Sequence, residues 1–454
     1  MPRAVCWPHR VSCEHNLMSA RRSLLWPVSL TPNRIRQLWY FPLLAMAMGL
    51  MMVRMLLMAR ILEIRSFAEF SGGILISSSF CMLGCLGLQI TLQRGWPVNI
   101  WRGQELRGLT RAAQCNLAAG GTAVAFIALV LCGLSIGTFS PLLLIVGIVH
   151  GCTQQIFLIA TVESRSRGDA VRFSRDNIIR ALALLSFGIL VAVLTGSGIA
   201  VLVAEAVLTL SFSVVLLRRS ATYARLDMWR LYNLALRRMP RAPWRAAMTL
   251  MAITGVAFLL VNLDRWLAAA RLSALEFAAY SFAWTVLMLA QSAQQIINTS
   301  IYPMMCRRFA SNEPRRAFRV CMASSLFVLF AGGIAALPAY VVLKYCVYNW
   351  FPKYAGAVVV VPLFLAVAVL RVSDFWSSFV LAAGRENVLL FANTASVITG
   401  ILLWSLWIYF PTGKALQPTD AALLALILSI LSYTTVVGCA WATRLGQGKS
   451  RAYV

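Results

Sequence analysis

Apolar residues run along this chain in long blocks, each bounded by short polar or basic stretches. A block of about 20 residues spans the ~30 Å hydrocarbon core of a bilayer as a helix. Twelve spans are predicted on that basis, near 40–60, 67–92, 115–137, 140–160, 179–196, 199–217, 246–263, 278–303, 320–343, 355–381, 388–410 and 420–443. The fifth and sixth are separated by little more than "TGSG", a tight turn. One run departs from the pattern: "LMLAQSAQQIINTSIYPM" carries Gln291, Gln294, Gln295 and Asn298 where lipid would leave them unsatisfied. Their spacing of i, i+3, i+4 and i+7 gathers them on one narrow helix face, and that face must look at something other than lipid.

Composition agrees with the blocks. Of the 454 residues 60% are hydrophobic and 12% charged, with a mean hydropathy of +0.76. No soluble domain of this size hides that much apolar surface in one core. The fold class expected is an all-α polytopic membrane protein. The net charge of +26 does not point to nucleic acid, because its placement is periodic. Basic residues gather on every second loop: 32 on one side and 7 on the other. The positive-inside pattern then puts both termini in the cytoplasm and agrees with an even number of spans. A membrane crossed many times is the expected location. No cofactor is expected: the chain offers no phosphate-cradling glycine loop and no nucleophile–base pair. The cysteines read as apolar fillers. Cys6, His9, Cys13 and His15 form the one metal-like spacing, in a polar leader over 1–39 in which Met18 is an alternative start.

The segments divide as a leader, a six-helix lobe over 40–217, a basic linker over 218–245, a second lobe over 246–443 and a tail over 444–454. The linker reads as a basic helix lying on anionic headgroups. A weak internal repeat supports two pseudo-symmetric halves. "SFAEF" precedes span two and "LSALEF" span eight, with Pro97 and Pro303 closing the two spans. Halves of this kind set a substrate path at their interface and allow alternating access.

Charges within the spans are few and costly, about 2.5–3.5 kcal/mol each on insertion scales. Arg54 has no acid in its own helix, and two readings stay open for it: snorkelling to the interface and facing a water-filled cationic cavity. Glu205 has no partner near it in sequence, so a buried protonated acid and an ion-coupling group are both open. Arg371 and Asp374, one turn apart, are placed to neutralise one another. Asp264 and Arg265 sit at the outer end of span seven. His150, Thr153, Gln154 and Thr161 share a face of span four, and Gln89 and Gln93 a face of span two. Such stripes serve either as interhelical hydrogen-bond glue or as the lining of a hydrated lumen suited to sugar hydroxyls.

The stretch 262–310, with Asp264-Arg265, Glu276-Phe277, Tyr280 and Pro303, resembles helices seven and eight of Wzx-type polysaccharide (O-antigen or exopolysaccharide) flippases. "ARILEIRSFAEFSGG", "LGCLGLQITLQRG" and "LAAGREN" are similar to other parts of that pattern. The family belongs to the superfamily of multidrug and toxin extrusion exporters and the lipid II flippase. The resemblance implies two six-helix lobes around a central cavity, in a bacterial inner (cytoplasmic) membrane. It also implies a polyprenyl-diphosphate-linked oligosaccharide as substrate, moved to the outer leaflet for polysaccharide (for example lipopolysaccharide) assembly, with other assembly membrane proteins as partners. Arg54, with Arg265 or Arg371, would hold the diphosphate, and the span-eight amides with His150 and Gln154 would meet sugars. Glu205, Asp264 and Asp374 would couple ions or pair charge. A cation-coupled multidrug exporter is the competing reading, and a membrane polymerase or ligase a more distant one; no enzymatic activity is expected.

Overall fold

The structure, a computed structural model, describes residues 40–167, 169–223, 227–311, 313–409 and 416–449. The leader with its Cys6/His9/Cys13/His15 spacing and the last residues of the tail lie outside them, as does the side chain of Gln295. The described chain is helical throughout: α1 Tyr40–Ile61, α2 Ile64–Leu83, α3 Leu88–Trp101, α4 Glu105–Leu131, α5 Pro141–Ser166, α6 Ala170–Thr195, α7 Gly198–Tyr223 and α8 Met228–Arg237. After a short 3-10 turn come α9 Trp244–Arg271, α10 Ala274–Ala310, α11 Pro314–Trp350, α12 Val361–Val372, α13 Trp376–Ala382, α14 Glu386–Tyr409 and α15 Pro418–Lys449. With α2–α3 and α12–α13 each counted as one broken span, and the ten-residue α8 set aside as too short to cross, these make the expected twelve.

Among the described residues, eleven helical segments are long and apolar enough to cross a membrane. The 37-residue α10, which carries the amide stripe, is not among them, because its amides and charged ends dilute its hydropathy. Local sequence explains several ends. Ser140 caps α5, its hydroxyl accepting from Leu143 N at 3.2 Å ahead of Pro141. Asp169 caps α6, and Gly196 closes it in the left-handed conformation (φ 63°). Ser273 and Glu276 make a reciprocal capping box on α10, at 3.0 and 3.3 Å.

Two expectations are corrected here. Pro97 does not end span two: it lies inside α3, which continues to Trp101. Span eight likewise runs past Pro303 to Ala310. What interrupts span two is the turn 84–87, where Leu86 (φ 50°) and Gly87 (φ 78°) are left-handed. A Cβ on Gly87 would stand 2.0 Å from the Ala247 carbonyl oxygen. Gly87→Ala is therefore expected to cost roughly 1–2 kcal/mol for the backbone alone, and more for the clash. A lowered thermal midpoint in detergent would be the readout, with Gly95→Ala, which meets nothing within 4 Å, as the neutral control.

The helices form two lobes, α1–α7 and α9–α15, with the amphipathic α8 laid against the first. Leu231 and Ala235 of α8 are buried and Trp229 is exposed. Gln114 Nε2 donates to the Arg238 carbonyl at 2.8 Å, and Asn116 Nδ2 to the Tyr232 hydroxyl at 3.0 Å. Burial pushes the Tyr232 phenol up from its ordinary value.

The core is distributed unevenly between the two ends of the bundle. At the end away from the basic loops, one apolar cluster joins both lobes: Phe67 and Phe70 of α2 with Phe277, Tyr280 and Phe282 of α10, and Tyr354. Tyr354 stacks on Phe282 at 4.8 Å and meets Phe67 edge-on at 5.4 Å. At the basic end the cores are separate. One gathers α3, α4 and α8 with Ala247 of α9; the other gathers the end of α10 with α11, α13, α14 and α15. The lobes thus share a large core at one end, and towards the other their apolar contact narrows to the start of α9. Polar cross-links reinforce the joined end. Lys353 Nζ donates to the carbonyls of Arg60 and Leu62 at 3.0 and 2.6 Å, and burial pushes its ammonium below the ordinary value. Thr138 Oγ1 donates to the Ala269 carbonyl at 2.9 Å.

Candidate functional site

Five helices of the first lobe bring one polar cluster into its interior. Arg54 (α1) and Glu205 (α7) are 4% and 1% exposed, and Arg54 Nη1 donates to Glu205 Oε2 at 2.6 Å. The same carboxylate oxygen lies 3.4 Å from His150 Nε2 (α5), whose Nδ1 is 2.7 Å from Ser77 Oγ (α2). Arg180 (α6) donates to Gln154 Oε1 and lies over the Phe157 ring, its Cζ at 4.2 Å from the centroid. Gln154 Nε2 in turn is 3.4 Å from His150 Nε2. The cluster holds two guanidiniums and one carboxylate. Arg54 is therefore not an unpaired charge, and Glu205 is not without a partner. The two are 151 residues apart, and only the packing of α1, α5 and α7 brings them into contact.

Arg180, Ser77 and Asn393 were missed as candidates. Arg180 reads by sequence as belonging to the basic loop before span five. Yet α6 begins at Ala170 behind its Asp169 cap, which carries Arg180 well into the helix. That cap was the available signal.

The second lobe has its own cluster. Asp264 Oδ2 accepts from the Tyr280 hydroxyl at 2.6 Å, and the Arg265 guanidinium lies 4.0 Å from the centroid of the Trp284 ring. Both residues of the pair are buried within α9, which runs on to Arg271, rather than sitting at its outer end. Arg371 and Asp374 do not pair with one another. The span breaks between them, α12 ending at Val372 and α13 starting at Trp376. Arg371 donates to Ser429 Oγ at 3.2 Å and to the Val261 and Leu260 carbonyls at 3.2 and 3.4 Å. Asp374 instead accepts from Ser377 N and Oγ, at 3.1 and 2.6 Å.

The amide stripe of α10 faces this break. Gln294 Nε2 donates to the Asp374 carbonyl at 3.3 Å, and Asn298 Oδ1 accepts from Ser378 Oγ at 2.9 Å. Gln291 and Gln294 also line a cavity of about 320 Å³ with Arg371 and Asp374. Two amides of the stripe thus satisfy a broken helix, and two border this cavity. In the first lobe Gln89 pairs with Gln155 between α3 and α5, while Gln93 is exposed. The Thr153 and Thr161 hydroxyls return to carbonyls of their own helix, at 2.8 and 3.0 Å.

At the basic end Arg94 (α3) reaches across to Glu386 (α14) at 2.7 Å, with side chains 55% and 34% exposed. An exposed pair of this kind is worth about 0–1 kcal/mol. Glu386→Gln is therefore expected to leave the melting point unchanged while raising maleimide labelling of Cys306 (α10), which shares the neighbour Tyr302 with this pair. Equal labelling in both proteins would show that the pair does not restrain the opening.

No protein-family model matches the chain, and no curated protein sequence matches it. Solved structures do. An inward-facing multidrug resistance MATE family transporter of the MOP superfamily superposes with a TM-score of 0.62 at 12% identity, covering 91% of this chain and 96% of that one. The eukaryotic MATE transporter AtDTX14 gives 0.60 at 11% identity, covering 90% and 96%. A MOP superfamily transporter from Pyrococcus furiosus, described as having a binding pocket of reversed polarity, gives 0.54 at 13% identity over 89% and 97%. At these identities the likeness is one of fold, and the fold of this twelve-span, two-lobed chain is that of the MATE transporters of the MOP superfamily.

Proposed function

We propose that the protein is a flippase of the bacterial inner membrane, moving a polyprenyl-diphosphate-linked oligosaccharide from the cytoplasmic to the outer leaflet by alternating access. One observation carries this reading: a single apolar core ties the lobes at the end away from the basic loops, while at the basic end the first lobe's core takes in only the start of α9, at Ala247, and α10–α15 keep a separate core. Such a body opens on one side and can rock to the other about the joint. With basic loops facing the cytoplasm, the open side is the one that meets a substrate made there. The lipid tail stays in the bilayer while diphosphate and sugars cross between the lobes.

The preference for an anionic glycolipid rests on residue chemistry. The first-lobe interior holds Arg54 and Arg180 against Glu205, an excess of positive charge, and arginine's fork grips phosphate oxygens in pairs. Diphosphate binding by Arg54 would require it to exchange Glu205 for substrate; Arg180, held by an amide and a ring, has no carboxylate to give up. The amides of α10, Gln295 included, would meet sugars. Membrane lipids and other polysaccharide-assembly proteins are the partners of this reading.

The competing reading is a cation-coupled drug exporter, favoured by the buried carboxyls of Glu205 and Asp264 and by the drug exporters among proteins of like fold. Flipping in liposomes decides between them. Purified protein is reconstituted with a labelled polyprenyl-diphosphate oligosaccharide, and exposure to an added impermeant glycosidase is followed. Protein-dependent exposure is expected. None with several lipid-linked glycans, together with drug resistance in an overexpressing strain, would replace the flippase by the exporter.

A further inference from the structure

The cavity of about 320 Å³ lies wholly within the second lobe, where α9, α10, the α12–α13 break, α14 and α15 converge. Its volume is at the lower end of the roughly 300–1,000 Å³ range of ligand pockets, and its lining mixes apolar groups such as Leu260, Leu370 and Leu428 with Arg371, Asp374 and Asn393.

The polar groups are held in place by contacts that leave part of their capacity unused. Three N–H groups of Arg371 are engaged, by Ser429 Oγ and by the carbonyls of Val261 and Leu260, whereas a guanidinium has five. Asp374 is fixed by Ser377, and a carboxylate has about four lone-pair sites. Tyr433 accepts from Trp376 Nε1 at 3.2 Å, which leaves its own hydroxyl proton to donate. Asn393 is 7% exposed and its Oδ1 is buried without any hydrogen-bond partner. An orphaned buried acceptor costs about 1–3 kcal/mol, and a turn of the Asn393 side chain, which lines the cavity, would bring this one to a donor there.

The arrangement discriminates among ligand classes. A cationic drug would meet Arg371, and a bare phosphate would meet Asp374. What fits is a small, uncharged ring that both donates and accepts around its edge and has an apolar face, and a pyranose has these features. We propose that this cavity is a saccharide subsite, holding one sugar ring with the Asn393 carbonyl oxygen as a ring-hydroxyl acceptor. That the sugar arrives as part of a lipid-linked glycan rests on the function proposed above; the pocket itself would take a free pyranose by the same contacts.

The test uses saturation-transfer NMR on the purified, full-length protein in nanodiscs. The probes are glucose, galactose, mannose, rhamnose, N-acetylglucosamine and xylose. At least one is expected to show transfer that falls about tenfold in Asn393→Leu, the loss of one well-made hydrogen bond. That substitution removes an unpaired acceptor and is expected to fold; if its melting transition is lost, Ser432→Leu, which fills the cavity from its rim, is read instead. Transfer from none of the six, or undiminished transfer in the folded variant, overturns the subsite. Liposome flipping run in parallel separates the two claims. Flipping without sugar transfer removes the subsite and keeps the flippase; sugar transfer without flipping keeps the subsite and removes the flippase.

Discussion

Arg54→Ala is expected to lower the unfolding free energy by about 3–5 kcal/mol, the usual consequence of leaving one member of a buried ion pair uncompensated. The Glu205 carboxylate, 1% exposed, would keep only His150 at 3.4 Å and the nearby guanidinium of Arg180, which is held by Gln154. Thermal unfolding of the purified protein in detergent is the measurement. Arg54→Met combined with Glu205→Leu is expected to regain at least half of the loss, because two apolar side chains of similar bulk leave no stranded charge. The pair of variants also separates two roles. If Arg54 only braces α1 against α7, the double variant recovers flipping along with stability. If Arg54 grips an anionic headgroup, the double variant is stable and flips poorly. An Arg54→Ala protein as stable as wild type would mean that the contact with Glu205 contributes nothing.

Oxidation of a Gly137→Cys/Ala270→Cys protein is expected to stop transport, reducing it at least about tenfold because nearly every copy is held in one of two states. A Cβ on Gly137 would lie 3.4 Å from the Ala270 Cβ, close to the ~3.5–4.5 Å that a disulfide spans. The bond would tie the α4–α5 loop to the end of α9, beside the existing Thr138–Ala269 contact and on the joined side of the lobes. Gly137 has a φ of 60°, so the substitution itself costs roughly 1–2 kcal/mol. Each single-cysteine variant, and the double variant kept reduced, must therefore transport normally. Full activity in the oxidised, cross-linked protein would show that this end of the joint does not open during the cycle.

How much of this was open to the sequence differs from feature to feature. The tight turn between spans five and six is set by Gly196, a left-handed cap that any reading of "TGSG" anticipates. The break of span two was hidden, because Leu86, which bends there with Gly87, belongs to a type that rarely adopts positive φ. Pro97 and Pro303 misled, since a proline inside a membrane helix is tolerated when neighbouring groups cover the freed carbonyl. The α10 amides were visible as a stripe, but what they face was not: Asp374 and Ser378 are 80 residues away along the chain.

The sequence by itself determined what depends on neighbours along the chain: which blocks are apolar enough to span, where basic loops recur, which turns cap a helix, and that an amide face needs something other than lipid. Insertion and helix formation are local, governed by transfer of each segment and its own hydrogen bonds. Tertiary structure alone decided which buried charges meet. Arg54 found Glu205, Arg371 left Asp374 for Ser429, and Asn393 was left facing an open cavity. Those outcomes follow from how helices pack, which charges and carbonyls from distant segments share through space and which no local pattern encodes.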